Sequence, residues 1–206
     1  MTELKNYIGS LTDLEIVQYP HPTLRHKSKP ITRVDRELRR IVSEMFQLMY
    51  EAKGIGLAAN QVDLPIQLFV INTKGDPAEG EELVFINPVL TKPKGTHEGE
   101  EGCLSIVGVT AQVARPEQVH VSAYDLSGNE ISMTVDGLLS KAIQHETDHL
   151  EGVLFIDRIG ESARKQIDGE LEDFEIDFDN KQSTGQIPAD EAIKKRLSEI
   201  EDRYCG

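Results

Sequence analysis

Apolar positions repeat along this chain with two periods, and the change of period marks its elements. Val34, Leu38, Ile41, Val42, Met45, Leu48 and Met49 fall on one face at helical spacing. They predict an amphipathic helix from Val34 to Glu51, started by Thr32 with Asp35 and ended by Gly54. Ile66 to Asn72 and Leu83 to Leu90 are dense in Ile, Val, Leu and Phe and read as strands. Gly75-Asp76-Pro77 and Gly80 punctuate a charged turn between them. Val119 to Asp125 and Glu130 to Asp136 flank Leu126-Ser127-Gly128-Asn129, the pattern of a hairpin. Gly137 opens a second helix with Asp136 as its N-cap, which runs to Glu151 and stops at Gly152. Short strands are predicted at Asp13 to Val17 and Val153 to Asp157. After the first of these, the two prolines of Tyr19-Pro20-His21-Pro22 forbid regular structure.

The pattern changes after Glu161. Asp168, Glu170, Glu172, Asp173, Glu175, Asp177 and Asp179 follow one another with no base among them. Phe174, Ile176 and Phe178 alternate with the acids, which predicts either an edge strand or disorder. Asp190 to Arg203 reads as a polar helix carrying Lys194, Lys195 and Arg196. The expected organisation is an N-terminal extension (1–12), an α+β core (13–160) and an acidic, partly helical C-terminal extension (161–206).

Across 206 residues, 36 Asp and Glu outnumber 22 Lys and Arg, for a net charge of -14, which argues against DNA binding. There is no apolar run long enough for a membrane-spanning helix. Met1 to Ser10 lacks the basic stretch and apolar core of a secretory signal, and two cysteines make no disulfide framework. A reducing cytoplasmic setting is expected.

Three segments carry candidate chemistry. In His145-Glu146-Thr147-Asp148-His149 the two imidazoles sit one helical turn apart on one face, where they can grip one divalent cation. Glu146, one step round, can act on a water beside it. The competing reading is a helix whose histidines only satisfy local hydrogen bonds. A metal site of this kind needs a third ligand. There is no histidine after His149, so the candidates are His21, His26, His97, His120, Cys103 and many carboxylates. Cys103, in Glu101-Gly102-Cys103-Leu104-Ser105, would complete a Cys-His-His set, although a lone cysteine in a strand is more often a small buried hydrophobe. The third segment is Gly54-Ile55-Gly56-Leu57-Ala58-Ala59-Asn60-Gln61. Its alternating glycines permit close approach, and Gln61 offers an amide that can hold a developing oxyanion; a plain helix-to-strand turn is the bland alternative.

Taken together and in this order, the three segments closely resemble the peptide deformylase family. Ile16-Val17-Gln18-Tyr19-Pro20-His21-Pro22 with Leu24-Arg25 matches its usual start. The resemblance implies an α+β fold in which antiparallel or mixed sheets pack around a central helix bearing the His-Glu-x-x-His motif. It implies removal of the formyl group from the N-terminal formyl-methionine of nascent polypeptides, with release of formate. By motif, Cys103, His145 and His149 bind one divalent metal ion, Fe(II) being typical and Zn, Ni or Co able to substitute. Glu146 carries the proton, while the Gln61 side chain and the Leu104 N–H hold the oxyanion. Gly54, Ile55, Gly56 and Gly102 lie along the peptide. Leu138 and Ala142 share a helical stripe with the two histidines and are candidates for the methionine pocket, or for ordinary core. Asp148 faces the other way and is expected to pair with Arg115 behind the metal, a solvent-exposed surface position being the competing reading.

Two features depart from the family pattern. Val107-Gly108 stands where many relatives have proline, and the acidic tail differs from the basic helix that some relatives dock on ribosomes. Lys194, Lys195 and Arg196 leave a transient ribosome contact open, although three bases amid acids are more often a solvated helix face. Two rival functions are a zincin-type endopeptidase, which normally takes a third His or Glu from downstream, and a non-catalytic formyl-peptide or metal-binding module.

Overall fold

The computed structural model describes residues 14–206. Helix α1 (Arg36–Glu51) and helix α2 (Gly137–Leu150) cover opposite faces of one antiparallel sheet. Its strands are β1 (Gly56–Ala58), β2 (Leu68–Ile71), β3 (Leu83–Lys94), β6 (Gln118–Tyr124) and β7 (Glu130–Val135), in the order β1-β2-β3-β6-β7. Side chains of a strand point alternately to the two faces. Leu57, Leu68 and Val70 therefore pack with Leu38, Ile41 and Met45 of α1. Ala58, Phe69 and Ile71 pack with Ala142, Ile143 and Leu150 of α2. Every residue of β2 is fully buried, which is why that segment reads as a continuous apolar run. The Phe69 and Phe85 rings, paired across β2 and β3, have centroids 4.9 Å apart.

Strands β4 (His97–Cys103) and β5 (Ile106–Arg115) form a separate hairpin, paired from His97↔Arg115 to Cys103↔Ile106. Ile106, Val109 and Val113 seat it on a third apolar cluster with Leu24, Leu154 and Phe155. Neither strand shows in the pattern, because β4 is Gly- and Glu-rich and β5 buries only some of its positions.

The remaining elements correct several expectations. Helix α1 begins two residues later than the pattern predicts, and Asp35 alone caps it, accepting the Leu38 N–H at 2.9 Å. It is Lys53, with φ 58°, that takes the left-handed position after the helix. Asp136 occupies the N-cap of α2 without a side-chain bond to the first turn. Residues 14–18 are not a strand, although the Val17 N–H bonds the Gln61 carbonyl at 2.8 Å; Asp13 and the 1–12 extension lie outside the described residues. Phe155–Asp157 is a 3-10 turn in place of the short strand predicted there, closed by the Asp157 carboxylate on the Leu154 N–H at 2.8 Å.

The acidic segment is neither strand nor disordered. It forms helix α3 (Glu161–Ser183), followed by α4 (Asp190–Tyr204). Ile167, Leu171, Phe174 and Phe178 recur at 0, 4, 7 and 11, a helical stripe whose last members alternate by chance with acids. Ile176, off the stripe, is 53% exposed. Ile167 and Leu171 join the cluster under β5, and the Tyr19 hydroxyl donates to Glu175 at 2.8 Å. Helix α4 buries Ile200 and Tyr204 against the α1 cluster, and the Tyr204 hydroxyl donates to Glu37 at 2.8 Å.

Candidate active site

Helix α2 lies between the sheet and the β4–β5 hairpin and presents His145 and His149 one turn apart, their rings 4.9 Å between centroids. Cys103 ends β4, where the register of the hairpin slips, and faces them. The ligand atoms of Cys103, His145 and His149 all lie within 4.8 Å of one another, and the Cys103 sulfur is 3.2 Å from His149 Nε2. Among the described residues this is the group of three metal-binding side chains that converges. The other candidate ligands lie elsewhere. His21 is buried edge-on against Phe178, His26 pairs with Glu201, and His120 bonds Thr134 on an exposed strand face.

A ring of charge surrounds the three residues. Glu101 accepts from His145 Nδ1 at 3.1 Å, orienting that imidazole. Its two oxygens also accept a two-pronged bond from Arg115, at 2.6 and 2.9 Å. Arg115 reaches on to Asp148 at 2.8 Å, so the structure brings that expected pair together, and Asp148 is only 9% exposed. Arg158 grips the same carboxylate from the 3-10 turn after α2. Burial opposes ionisation of Glu101, but the bonds from His145 and Arg115 outweigh it and hold its carboxyl down to about 2. The sequence pattern assigns no role to Glu101 or Arg158. The local pattern gives no signal for Glu101, because β4 itself does not show in it; the hairpin is what brings residue 101 behind His145.

The glycines of the third segment leave room for side chains. A Cβ on Gly54 would sit 2.7 Å from the Leu104 side chain, and one on Gly56 would strike the Glu146 carboxylate. Glu146 thus lies against the β1 backbone, buried, with Oε2 unpartnered among the described residues. Burial is the main cause that pushes its carboxyl up to about 7. Ala59–Val62 is a 3-10 turn. It directs Gln61 so that Oε1 accepts the Ala58 N–H at 2.8 Å while Nε2 faces Cys103 Sγ at 3.4 Å and Ser105 Oγ at 3.2 Å. Asn60 donates to the His149 carbonyl, tying this turn to α2.

Above these residues opens a cleft of about 320 Å3. Gly54, Ile55 and Gly56 line one wall, and Gly102, Cys103 and Leu104 another. Leu138 and Ala142 of α2 line it with His145 and Glu146; Leu138 is 52% exposed and Ala142 buried. Lys53, Glu100 and Lys141 also line it, and Lys141 continues the stripe of Leu138 and His145.

The donor set suits a divalent cation. One thiol and two imidazoles match a four-coordinate site with one position left open. His149 Nδ1 has no partner among the described residues, and burial first, then the neighbouring His145, hold this ring well below the ordinary histidine range. A neutral imidazole of this kind is what a metal ion requires.

A family model described as polypeptide deformylase matches residues 13–165. The chain belongs to the polypeptide deformylase family. The peptide deformylase of Rhodopirellula baltica is 48% identical over 193 residues, 94% of this chain and 96% of that protein. Peptide deformylase 1B of Arabidopsis thaliana, chloroplastic/mitochondrial, is 43% identical over 90% of this chain and 67% of its own length. The crystal structure of a plant peptide deformylase 1B superposes with a TM-score of 0.81 at 42% identity, over 87% of this chain and 96% of that one. As a deformylase, the chain is a metal-dependent hydrolase that removes the formyl group from N-terminal formyl-methionine. None of its helices is long and apolar enough to cross a membrane, among the described residues.

Proposed function

We propose that Cys103, His145 and His149 hold one divalent cation, Fe(II) in the cell with Zn, Ni or Co as substitutes, and that the cleft above them deformylates nascent polypeptides in the cytoplasm. The observation that carries this reading is the convergence of the three ligand atoms within 4.8 Å at the foot of a cleft, beside a buried carboxylate. A bound cation supplies a Lewis acid that acidifies water and polarises a carbonyl. Glu146 accepts the proton of the attacking water and passes it to the departing peptide amine. Gln61 Nε2 and the Leu104 N–H, next to Cys103 in space and in sequence, donate to the oxygen that gains negative charge. Arg115 and Asp148 hold α2 and the Glu101–Cys103 segment in register behind the ligands.

The substrate is an extended chain. Among the described residues, strand β1 pairs only with β2 and β4 only with β5, so each offers an edge beside the cleft. Backbone groups at Ile55 and Gly102 pair with the peptide there, in the manner of an added strand. Gly54 and Gly56 keep that edge open, and Leu138 and Ala142 receive the methionine side chain. A transient ribosome contact would fall on the exposed Lys194 and Lys195.

The test is formate release by anaerobically prepared, metal-loaded enzyme from formyl-Met-Ala-Ser, against acetyl-Met-Ala-Ser and an internal peptide. Formate from the first and no cleavage of the others is expected; cleavage of the internal peptide would make the chain an endopeptidase. Glu146→Ala is expected to keep its metal and lose about a hundred- to ten-thousandfold in kcat. Near-normal turnover by that metal-loaded variant removes Glu146 from the proton-carrying role.

A further inference from the structure

The turn that carries Gln61 is held at its far end by a part of the chain beyond the matched family region, which stops at residue 165. Ala59–Val62 closes on Asp63, a non-glycine residue in the left-handed conformation with φ 61° and ψ 33°. The Asp63 N–H bonds the Asn60 carbonyl at 3.2 Å. Its carboxylate meets two groups, the Thr23 hydroxyl and the Arg196 guanidinium of α4. Arg196 Nη1 also donates to the Asp63 main-chain carbonyl at 3.3 Å. The two side chains are largely shielded, at 20% and 17% exposed. Helix α4 packs on the Pro22–Arg25 turn as well, and that turn packs on Ala59–Val62. One guanidinium thus fixes both the side chain and the carbonyl of the residue that ends the Gln61 turn.

We propose that Arg196 is a positioning residue for Gln61. A strained left-handed residue persists only where its surroundings over-determine it. Arg196 provides that constraint from α4, and the turn in turn holds Gln61 Oε1 on the Ala58 N–H with Nε2 directed at the Cys103 sulfur. The C-terminal extension is, on this account, a strut of the oxyanion site. This rests on Gln61 being an oxyanion donor, as proposed above.

The test uses the full-length, metal-loaded enzyme and formyl-Met-Ala-Ser. Gln61→Ala should cost about a hundredfold in kcat. Arg196→Ala should lower kcat about five- to tenfold through misplacement of the donor, with KM and metal content changed less than about twofold. Asp63→Asn, which tolerates the left-handed conformation, should do the same, and Arg196→Lys should recover most of the rate. In the Gln61→Ala background, Arg196→Ala should cost nothing further, since the group it positions is gone. Wild-type kcat in Arg196→Ala, or an equal loss in the Gln61→Ala background, overturns the proposal. Wild-type kcat in Gln61→Ala instead overturns the donor reading on which it rests.

Discussion

Glu101 joins two functions in one side chain. It fixes His145 through Nδ1 and neutralises the buried Arg115 through both oxygens. Replacing it by Gln keeps the shape and removes the charge. We expect Glu101→Gln to weaken metal binding about ten- to a hundredfold, read by titration against a chelator indicator. It should also destabilise the fold by about 3 kcal/mol in urea, because Arg115 stays buried with Asp148 as its one remaining acid. His21 makes a separate prediction about pH. Burial first, then the Arg196 charge, lowers its pKa from 6.5 to about 4. Above pH 6.5 the ring is neutral in both folded and unfolded chains and contributes no pH dependence. As the pH falls from 6.5 towards 4, the unfolded chain binds a proton that the folded one refuses, so stability is lost, by about 3 kcal/mol in all. His21→Asn keeps an acceptor for the turn after it and should flatten this part of the profile. Unfolding free energies of the two proteins at pH 7 and pH 4.5 check it.

At the scale of elements, close approach between β1 and α2 sets the catalytic geometry. Gly56 lets the Glu146 side chain lie on the strand, and an added methyl would overlap its carboxylate, with Cδ at 3.0 Å, and crowd its stem at Cγ, 3.1 Å away. Gly56→Ala should therefore bind metal normally yet lose at least about tenfold in kcat, since a small misplacement of a proton carrier is costly. Wild-type kcat in this variant would show that Glu146 has room the packing denies it. Helix α3 illustrates how an element can be misread. Acids at every second position imitate a strand, but the residues that are buried, Ile167, Leu171 and Phe178, keep a helical period. What selects the helix is the apolar surface under β5 that this stripe covers. The β4–β5 hairpin is the opposite case, with a weak local pattern and a fold set by pairing along its whole length.

For the whole molecule, the apolar clusters cross the boundary between core and extension. Tyr204 and Ile200 belong to the cluster under α1, and Ile167 and Leu171 to the one under the hairpin. The body and both C-terminal helices should therefore melt in one transition. Chelation should shift that transition down, because a ligand that binds only the folded state stabilises it, by about 4 kcal/mol at a thousand times its Kd. Scanning calorimetry of loaded and chelated enzyme tests both expectations; an early transition belonging to α3 and α4 would show the extension to be independent.

The amino-acid sequence by itself determined the family, the sheet-and-helix core and the order of the three motifs. Their residue types are tied to local geometry: a helical turn between two imidazoles, glycines before an amide, a cysteine next to a glycine. It offered Asp148 and Arg115 as a pair, with a solvent-facing Asp148 as the alternative, and the buried contact between them decided it. Tertiary structure alone decided the rest. That Glu101 joins His145 to Arg115, that Arg158 closes on Asp148, and that Arg196 reaches Asp63 across 133 residues of chain are contacts between segments with no local signature. The same reason hid the fate of the acidic tail. Its charge argued for solvent, while the few apolar residues that dock it gain their meaning only from the surface they meet.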